Sequence, residues 1–112
     1  MAGVKVPPHN EEAEQSALGS ILIDKNAIGV VSEIVHSSDF YNTINGIVYS
    51  AMLALYEKRQ PIDLLTLKAE LKANKTNDKI DTSYLTTLVE TVPTAANVEH
   101  YAKIIKENSI KR

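Results

Sequence analysis

Apolar residues recur every three or four positions along most of this chain, which is the spacing of helices that bury one face. The longest stripe has six members: Ile44, Ile47, Val48, Ala51, Met52 and Leu55. Similar stripes precede and follow it, and no two segments alternate convincingly in the way that paired strands do. The pattern predicts an all-α fold, a compact bundle of about six helices.

Polar residues mark where several of these helices are expected to begin. Asn10 is a good N-cap for the first helix, and Asp24 and Asp63 are predicted to cap the second and the fourth. Residues 28–35 are rich in β-branched side chains and are open to a strand interpretation, but a helix is favoured because no partner strand is evident. Three acidic residues are placed to favour the positive end of the first helix dipole: Glu11, Glu12 and Glu14.

The connections between helices carry turn signals. Residues 37–42 are polar and turn-like, with Phe40 and Tyr41 expected to pack against the core. The stretch 74–81 is predicted to be a loop, and Pro93 is predicted to end the fifth helix because proline cannot continue one. Two residues are candidate N-caps for the sixth helix: Thr94 and Asn97.

Composition narrows the class of protein. A chain of 112 residues is long enough for one domain with a real core. It has no cysteine, no apolar run long enough to span a membrane and no signal peptide, so we expect a cytoplasmic domain with no membrane partner. The net charge of −2 argues against a strong overall attraction to nucleic acid. Residues 1–9, with two prolines, are expected to form an extended lead-in to a helical domain at 10–112.

Catalytic chemistry is not indicated. None of the four glycines lies in a phosphate-binding loop, so any ATP site is expected outside this chain. Glu33 and His36 match only half of a di-iron helical-bundle site, and His9 and His100 have no partner ligand at helical spacing. With no activated serine and no cysteine, we predict no catalytic, cofactor-binding or metal-binding residue.

Two weaker patterns are candidate contact surfaces. Tyr56 and Tyr84 lie at the edges of apolar stripes, where an aromatic side chain can anchor a protein interface, although partial burial against a loop is the simpler interpretation. A stripe of lysines is a candidate weak contact for single-stranded DNA, although a solvated helix face is again simpler. It consists of Lys68, Lys72, Lys75 and Lys79.

Several stretches together resemble one family, the N-terminal domain of DnaB-type bacterial or phage replicative helicases. The resemblance covers nearly the whole chain in order. It rests on VPPHNEEAEQSALGSILID (6–24), DFY (39–41), IVYSAMLAL (47–55), PIDLLTL (61–67), YLTTLV (84–89) and VPTAANVEHYAKIIKE (92–107). The chain departs from the family at Asn45 and Gly46, where members often have a histidine and a basic residue, and in the loop 79–82, which often contains two glycines.

The resemblance implies a helical collar on a hexameric, ring-shaped DNA helicase. Family members use this collar to pair subunits, to bind a DnaG-type primase and to influence assembly by a helicase loader. It also implies that ATP and magnesium are bound by a separate RecA-like motor domain, which this sequence lacks, and that DNA passes through the full ring. The last helix, ending in SIKR, would then continue into a helical hairpin.

Two other hypotheses remain open at this stage. The chain resembles a collar closely enough to be a stand-alone adaptor that copies it, and a reading frame that continues past Arg112 into a phosphate-binding loop would exclude this. The other hypothesis is direct binding of single-stranded DNA by the lysine stripe, for which a steep salt dependence would be the signature.

Overall fold

The computed structural model describes residues 6–74, 80–92 and 94–112, and these residues form six α-helices and no strand. A single 3-10 turn at Ser37–Asp39 precedes the third helix. The all-α prediction is therefore confirmed for the described part of the chain. The helices are α1 (Glu11–Ile23), α2 (Ala27–Ser32), α3 (Thr43–Glu57), α4 (Leu64–Ala73), α5 (Thr82–Thr91) and α6 (Val98–Lys111).

Helix α1 is the centre of the bundle, because α5 and α6 pack along it and α2 and α3 also contact it. The approach of α5 is close enough to require a glycine. A Cβ atom at Gly19 would collide with the backbone carbonyl oxygen of Leu88. Since Leu88 is fully buried, α5 has little room to move away.

The core follows the predicted stripes. Leu18 of α1, Met52 of α3 and Leu67 of α4 are completely buried, and so is Tyr49. The hydroxyl of Tyr49 donates a hydrogen bond to the carbonyl oxygen of Val35 at 2.9 Å. Burial, together with the negative charge of Asp39, raises the pKa of Tyr49 to about 12, so its hydroxyl stays protonated and remains a donor.

Most predicted helix starts are correct and have side-chain caps. The Asn10 side chain accepts a hydrogen bond from the amide of Ala13 at 2.9 Å. Asp63 and Thr66 exchange side-chain and backbone hydrogen bonds, both at 2.9 Å, at the start of α4. At α5 the cap is Asp81, whose carboxylate accepts from the amide of Ser83 at 3.1 Å.

Helix α2 is shorter and begins later than the sequence indicates. Asp24 does not cap it; its carboxylate accepts from the amide of Asn26 at 2.9 Å, which closes a turn before the helix begins. The helix ends at Ser32, although Val35 remains buried. Residues 28–35 do not form a strand, so the helical interpretation is confirmed for its first part.

Two further expectations concern the loops. Phe40 is buried as predicted, but the prediction for Tyr41 is wrong, since 39% of its surface is exposed. Phe40 is in an extended conformation, and successive side chains of extended backbone point to opposite sides. Asn97 occupies the N-cap position of α6 without a side-chain capping bond, and the predicted helix stop at Pro93 lies outside the described residues.

Candidate functional site

A buried carboxylate joins the start of α3 to α1. Glu14 is 2% exposed, and its carboxylate accepts hydrogen bonds from the backbone amides of Tyr41 at 2.7 Å and Asn42 at 3.2 Å. These amides lie at the positive end of α3, where a negative charge is stabilised. Glu14 therefore acts on the dipole of α3, although its sequence position indicated a role at the start of its own helix.

Asn45 extends this contact to α5. Its side-chain amide donates to Glu14 at 2.9 Å and to Glu11 at 3.2 Å, and its carbonyl oxygen accepts from the hydroxyl of Tyr84. Burial raises the pKa of Tyr84, and the negative charges of Glu11 and Glu14 raise it further, against the opposing hydrogen bonds from Gln15 and Asn45. We call Glu11, Glu14, Asn42, Asn45 and Tyr84 the Tyr84 network.

The Tyr84 network has the properties of a structural cluster. In the part of the chain that the structure describes, no buried side-chain nitrogen or oxygen lacks a hydrogen-bond partner. Its side chains are hydrogen-bonded to one another and to the backbone before α3, which is the usual arrangement of buried polar groups in a folded core. Tyr84 is partly exposed and packs on the core, so the predicted interface role of this tyrosine stays a prediction.

A second polar cluster holds the end of α6 against the turn before α3. Asp39 is 6% exposed and accepts from the amide of His36 at 2.7 Å, from Ser109 at 2.7 Å and from Lys106 at 3.3 Å. Burial alone would raise the pKa of Asp39, but these bonds and the charge of Lys106 outweigh it and lower the pKa. Asp39, Lys106, Ser109 and Arg112 form what we call the Asp39 cluster.

Arg112 connects the Asp39 cluster to the segment before α1. Its guanidinium donates to the backbone carbonyls of Asp39 at 2.7 Å and Pro8 at 2.9 Å. It also lies 5.4 Å from the centre of the Tyr41 ring, a cation–π distance. The ring of His9 stacks on Tyr41 with centroids 4.1 Å apart, so this histidine packs against an aromatic ring.

An apolar groove opens between α4 and α5. Its volume is about 260 Å³, and we call it the α4–α5 groove. Leu65 is 77% exposed at its rim, and Lys68 and Lys72 are exposed beside it. Eight described residues line the groove: Leu65, Lys68, Ala69, Leu71, Lys72, Ile80, Thr82 and Leu85.

The structure describes two of the four members of the predicted lysine stripe. Lys68 and Lys72 lie one turn apart on the exposed side of α4, while Lys75 and Lys79 lie outside the described residues. The DNA-binding role of this stripe stays a prediction. Tyr56 lies elsewhere, at the end of α3, where it is 47% exposed and its hydroxyl approaches Gly29 of α2.

Comparison with known proteins decides the family. Residues 6–107 match the model of the DnaB-like helicase N terminal domain. The chain belongs to this family. The family resemblance inferred from the sequence motifs is therefore confirmed, and the chain is a DnaB-type N-terminal domain of the kind found in replicative helicases.

Individual relatives agree in sequence and in structure. The chain is 42% identical over 109 residues to the replicative DNA helicase DnaC of Bacillus subtilis, covering 96% of this chain and 24% of that protein. It is 44% identical over 107 residues to the replicative DNA helicase DnaB of Mycobacterium leprae, covering 95% of this chain and 18% of that protein. The crystal structure of the N-terminal domain of DnaB helicase from Mycobacterium tuberculosis superposes with a TM-score of 0.93 at 42% identity, covering 96% of this chain and 75% of that one.

The described residues include neither a metal-binding group of side chains nor a helix that could span a membrane. Across 6–74, 80–92 and 94–112, no three histidine, aspartate or glutamate side chains are grouped closely enough to hold a metal ion. None of the helices in the described ranges is long and apolar enough to cross a bilayer. Among the described residues, the DnaB-type domain has two closed polar clusters, and the α4–α5 groove is one of its apolar recesses.

Proposed function

We propose that this domain is the interaction and assembly part of a replicative DNA helicase. In this proposal it pairs subunits within a hexameric ring and receives a DnaG-type primase, with a helicase loader as a further partner. Membership of the DnaB-type N-terminal domain family supports the proposal. The chain corresponds to 24% of the length of the Bacillus subtilis helicase. The remaining three quarters of such a protein would hold the motor.

The sequence supports a division of labour between this domain and a motor. None of its glycines forms a phosphate-binding loop, so we assign ATP and magnesium to the RecA-like domain of the parent protein. We propose that the parent is an ATP-dependent helicase that acts on DNA in the cytoplasm, and that this domain performs no catalysis itself. Its contribution would be binding energy and subunit geometry.

The geometry of the domain supports an interaction role. The buried polar side chains described above are paired within the domain, so the fold does not depend on a partner to satisfy them. Leu65 of α4 and Ile110 of α6 are nevertheless 77% and 74% exposed. Large apolar side chains on an otherwise self-sufficient fold are available for contacts with other proteins.

Titration with the C-terminal domain of a DnaG-type primase tests the primase part of this proposal. Isothermal titration calorimetry should detect binding with a dissociation constant at or below tens of micromolar, roughly −6 kcal/mol or stronger. An unrelated helical domain of similar net charge is the control. The absence of heat at tens of micromolar would contradict the assignment of primase as a partner.

Sedimentation against concentration tests the assembly part separately. If the domain pairs subunits, its weight-average mass should rise with protein concentration toward that of a dimer, since mass action governs association. A mass that stays at 12.3 kDa at every concentration up to the millimolar range would contradict a pairing role for this domain.

A further inference from the structure

We propose that the α4–α5 groove is a docking site for an acidic amphipathic helix of a partner protein. The proposal goes beyond the assembly role, because it names one surface and the chemistry of the segment that binds it. It does not require the partner to be a primase. Its test below therefore has an outcome independent of the primase titration.

The size of the groove favours side-chain anchors. Its volume of about 260 Å³ lies below the range of roughly 300–1,000 Å³ that is typical of small-molecule sites. A cofactor or nucleotide would project out of it, whereas one or two apolar side chains of a peptide would fill it. Helices bind grooves in this way, by inserting residues spaced three or four apart.

The walls of the groove are apolar. Leu71 and Leu85 are 2% and 1% exposed, and Ile80 is 8% exposed, so the base consists of core side chains. Leu65 extends this surface to the rim, where 77% of the side chain is in water. Leu64, its neighbour, packs on the core, so the fold does not need Leu65 for its own packing.

The two lysines on the rim, Lys68 and Lys72, have no ion-pair partner among the described residues. They repel each other because side chains four positions apart on a helix are neighbours. Lys72 gains from the negative end of the α4 dipole, but Lys68 lies outside the last turn. Four other lysines are paired with carboxylates: Lys58 with Glu70, Lys103 with Glu99, Lys106 with Asp39, and Lys111 with Glu107.

An acidic helix fits these features better than a nucleic acid does. Proteins that bind single strands combine positive charge with aromatic side chains on which bases stack. The described lining of the groove contains no aromatic residue, and its apolar wall offers nothing to a phosphate. A helix with leucines on one face and glutamates beside them would match both the wall and the two lysines.

A synthetic peptide provides a direct test. The probe is a fluorescein-labelled helical 16-mer with leucines at i, i+3 and i+7 and glutamates flanking them, titrated with the 112-residue chain and followed by fluorescence anisotropy. Leu65→Ala, and separately Lys68→Glu/Lys72→Glu, should each weaken binding about tenfold, which corresponds to the loss of one good anchor. Raising the salt concentration should weaken binding to the unaltered chain but not to the double-lysine variant.

Matched variants control for exposure and net charge. Ile110→Ala removes an apolar side chain that is 74% exposed on α6, and Lys25→Glu/Lys103→Glu changes the net charge as much as the double-lysine variant does. Both should bind the acidic probe within about twofold of the unaltered chain, a difference of under about 0.5 kcal/mol. Far-ultraviolet circular dichroism should show that all four variants remain folded.

Three results would overturn the proposal. The first is no binding of the acidic probe up to millimolar concentration. The second is equal binding of a probe in which lysines replace the glutamates, or equal weakening by the control variants. The third concerns an oligothymidylate of about twenty nucleotides. If it binds the chain more tightly than the acidic peptide does, and if Lys68→Glu/Lys72→Glu weakens its binding, the two lysines belong to a nucleic-acid site.

Discussion

The Tyr84 network and the α4–α5 groove differ in the burial and the pairing of their charged side chains. In the network, the charge of Glu14 is buried and receives three hydrogen bonds from α3 and the residues before it. In the groove, the charges of Lys68 and Lys72 are exposed and unpaired among the described residues, beside an exposed leucine. The network connects three helices of the fold, whereas the exposed rim of the groove, formed by Leu65, Lys68 and Lys72, is directed to solvent.

This contrast separates two kinds of polar residue that the sequence does not distinguish. Buried charges are costly to leave unpaired, so a change in the network should be measured as lost stability. Exposed charges contribute little to stability, so a change in the groove should leave folding intact and affect only binding. The variants below are ordered by the size of the change in stability that we expect.

Removing the buried carboxylate should have the largest effect. Glu14→Ala leaves two backbone amides and one side-chain amide without their acceptor, which should lower the free energy of unfolding by about 3 kcal/mol. Glu14→Gln keeps one carbonyl acceptor and should cost less. Urea denaturation followed by circular dichroism measures both, and a loss below about 1 kcal/mol for Glu14→Ala would contradict the role assigned to this residue.

Shortening Tyr84 should come next. Tyr84→Phe removes the hydroxyl with its hydrogen bonds to Asn45 and Gln15 and should cost about 1 kcal/mol. Tyr84→Ala also removes a ring that packs on the core, so we expect roughly 2–3 kcal/mol. A role in a protein interface alone, as considered for Tyr84 from the sequence, would leave folding intact in Tyr84→Ala. If thermal unfolding of this variant is unchanged, the packing described for the ring is not important to stability.

The Asp39 cluster should make stability depend on pH. The pKa of Asp39 is lower in the folded domain than the ordinary value near 3.9, so its bonds stabilise the fold above that pH and are lost as the pH falls through the folded pKa. Asp39→Asn should therefore be less stable than the unaltered chain at pH 7, by about 1–2 kcal/mol. The gap should narrow below about pH 4, and a gap that is constant down to pH 2 would contradict the assignment.

The smallest effect on stability is expected in the groove. Lys68→Glu/Lys72→Glu should lower the free energy of unfolding by no more than about 1 kcal/mol, because neither lysine has an ion partner in the described residues and only Lys72 loses a favourable interaction with the α4 dipole. Denaturation at low and high salt measures this, with Lys25→Glu, at an exposed lysine that also has no ion pair among the described residues, as the control. A loss above about 1.5 kcal/mol would mean that these lysines serve the fold.

The helices of the fold were predictable from the spacing of apolar residues and from the N-cap residues. The stripe that includes Val48, Met52 and Leu55 can be buried only if α3 is a helix, and Asn10 and Asp63 are strong local start signals. The same periodicity places Leu64, Leu67 and Leu71 on one face of α4. It therefore leaves Leu65 on the other side of α4, so the exposure of this rim residue was predictable from the spacing.

The polar clusters were not predictable, because their partners are far apart in the sequence. Glu14 binds amides 27 and 28 positions later, and Arg112 binds the backbone of Asp39, 73 positions earlier. Local rules assign Glu14 to the start of its own helix and Tyr41 to the core. Only the packing of α1 against the start of α3 shows which amides the carboxylate reaches. An available signal was the position of Glu14 among the apolar residues Ala13, Ala17 and Leu18 of α1.

One measurement tests most directly the claim that this domain binds partners through a surface separate from its polar clusters. Amide chemical shifts of the isotope-labelled chain should be recorded during titration with the C-terminal domain of a DnaG-type primase. We predict saturable changes centred on Leu65, Lys68, Lys72 and Thr82, with little change at Asp39 and Ser109. Changes centred on the Asp39 cluster, or none at hundreds of micromolar, would contradict the account.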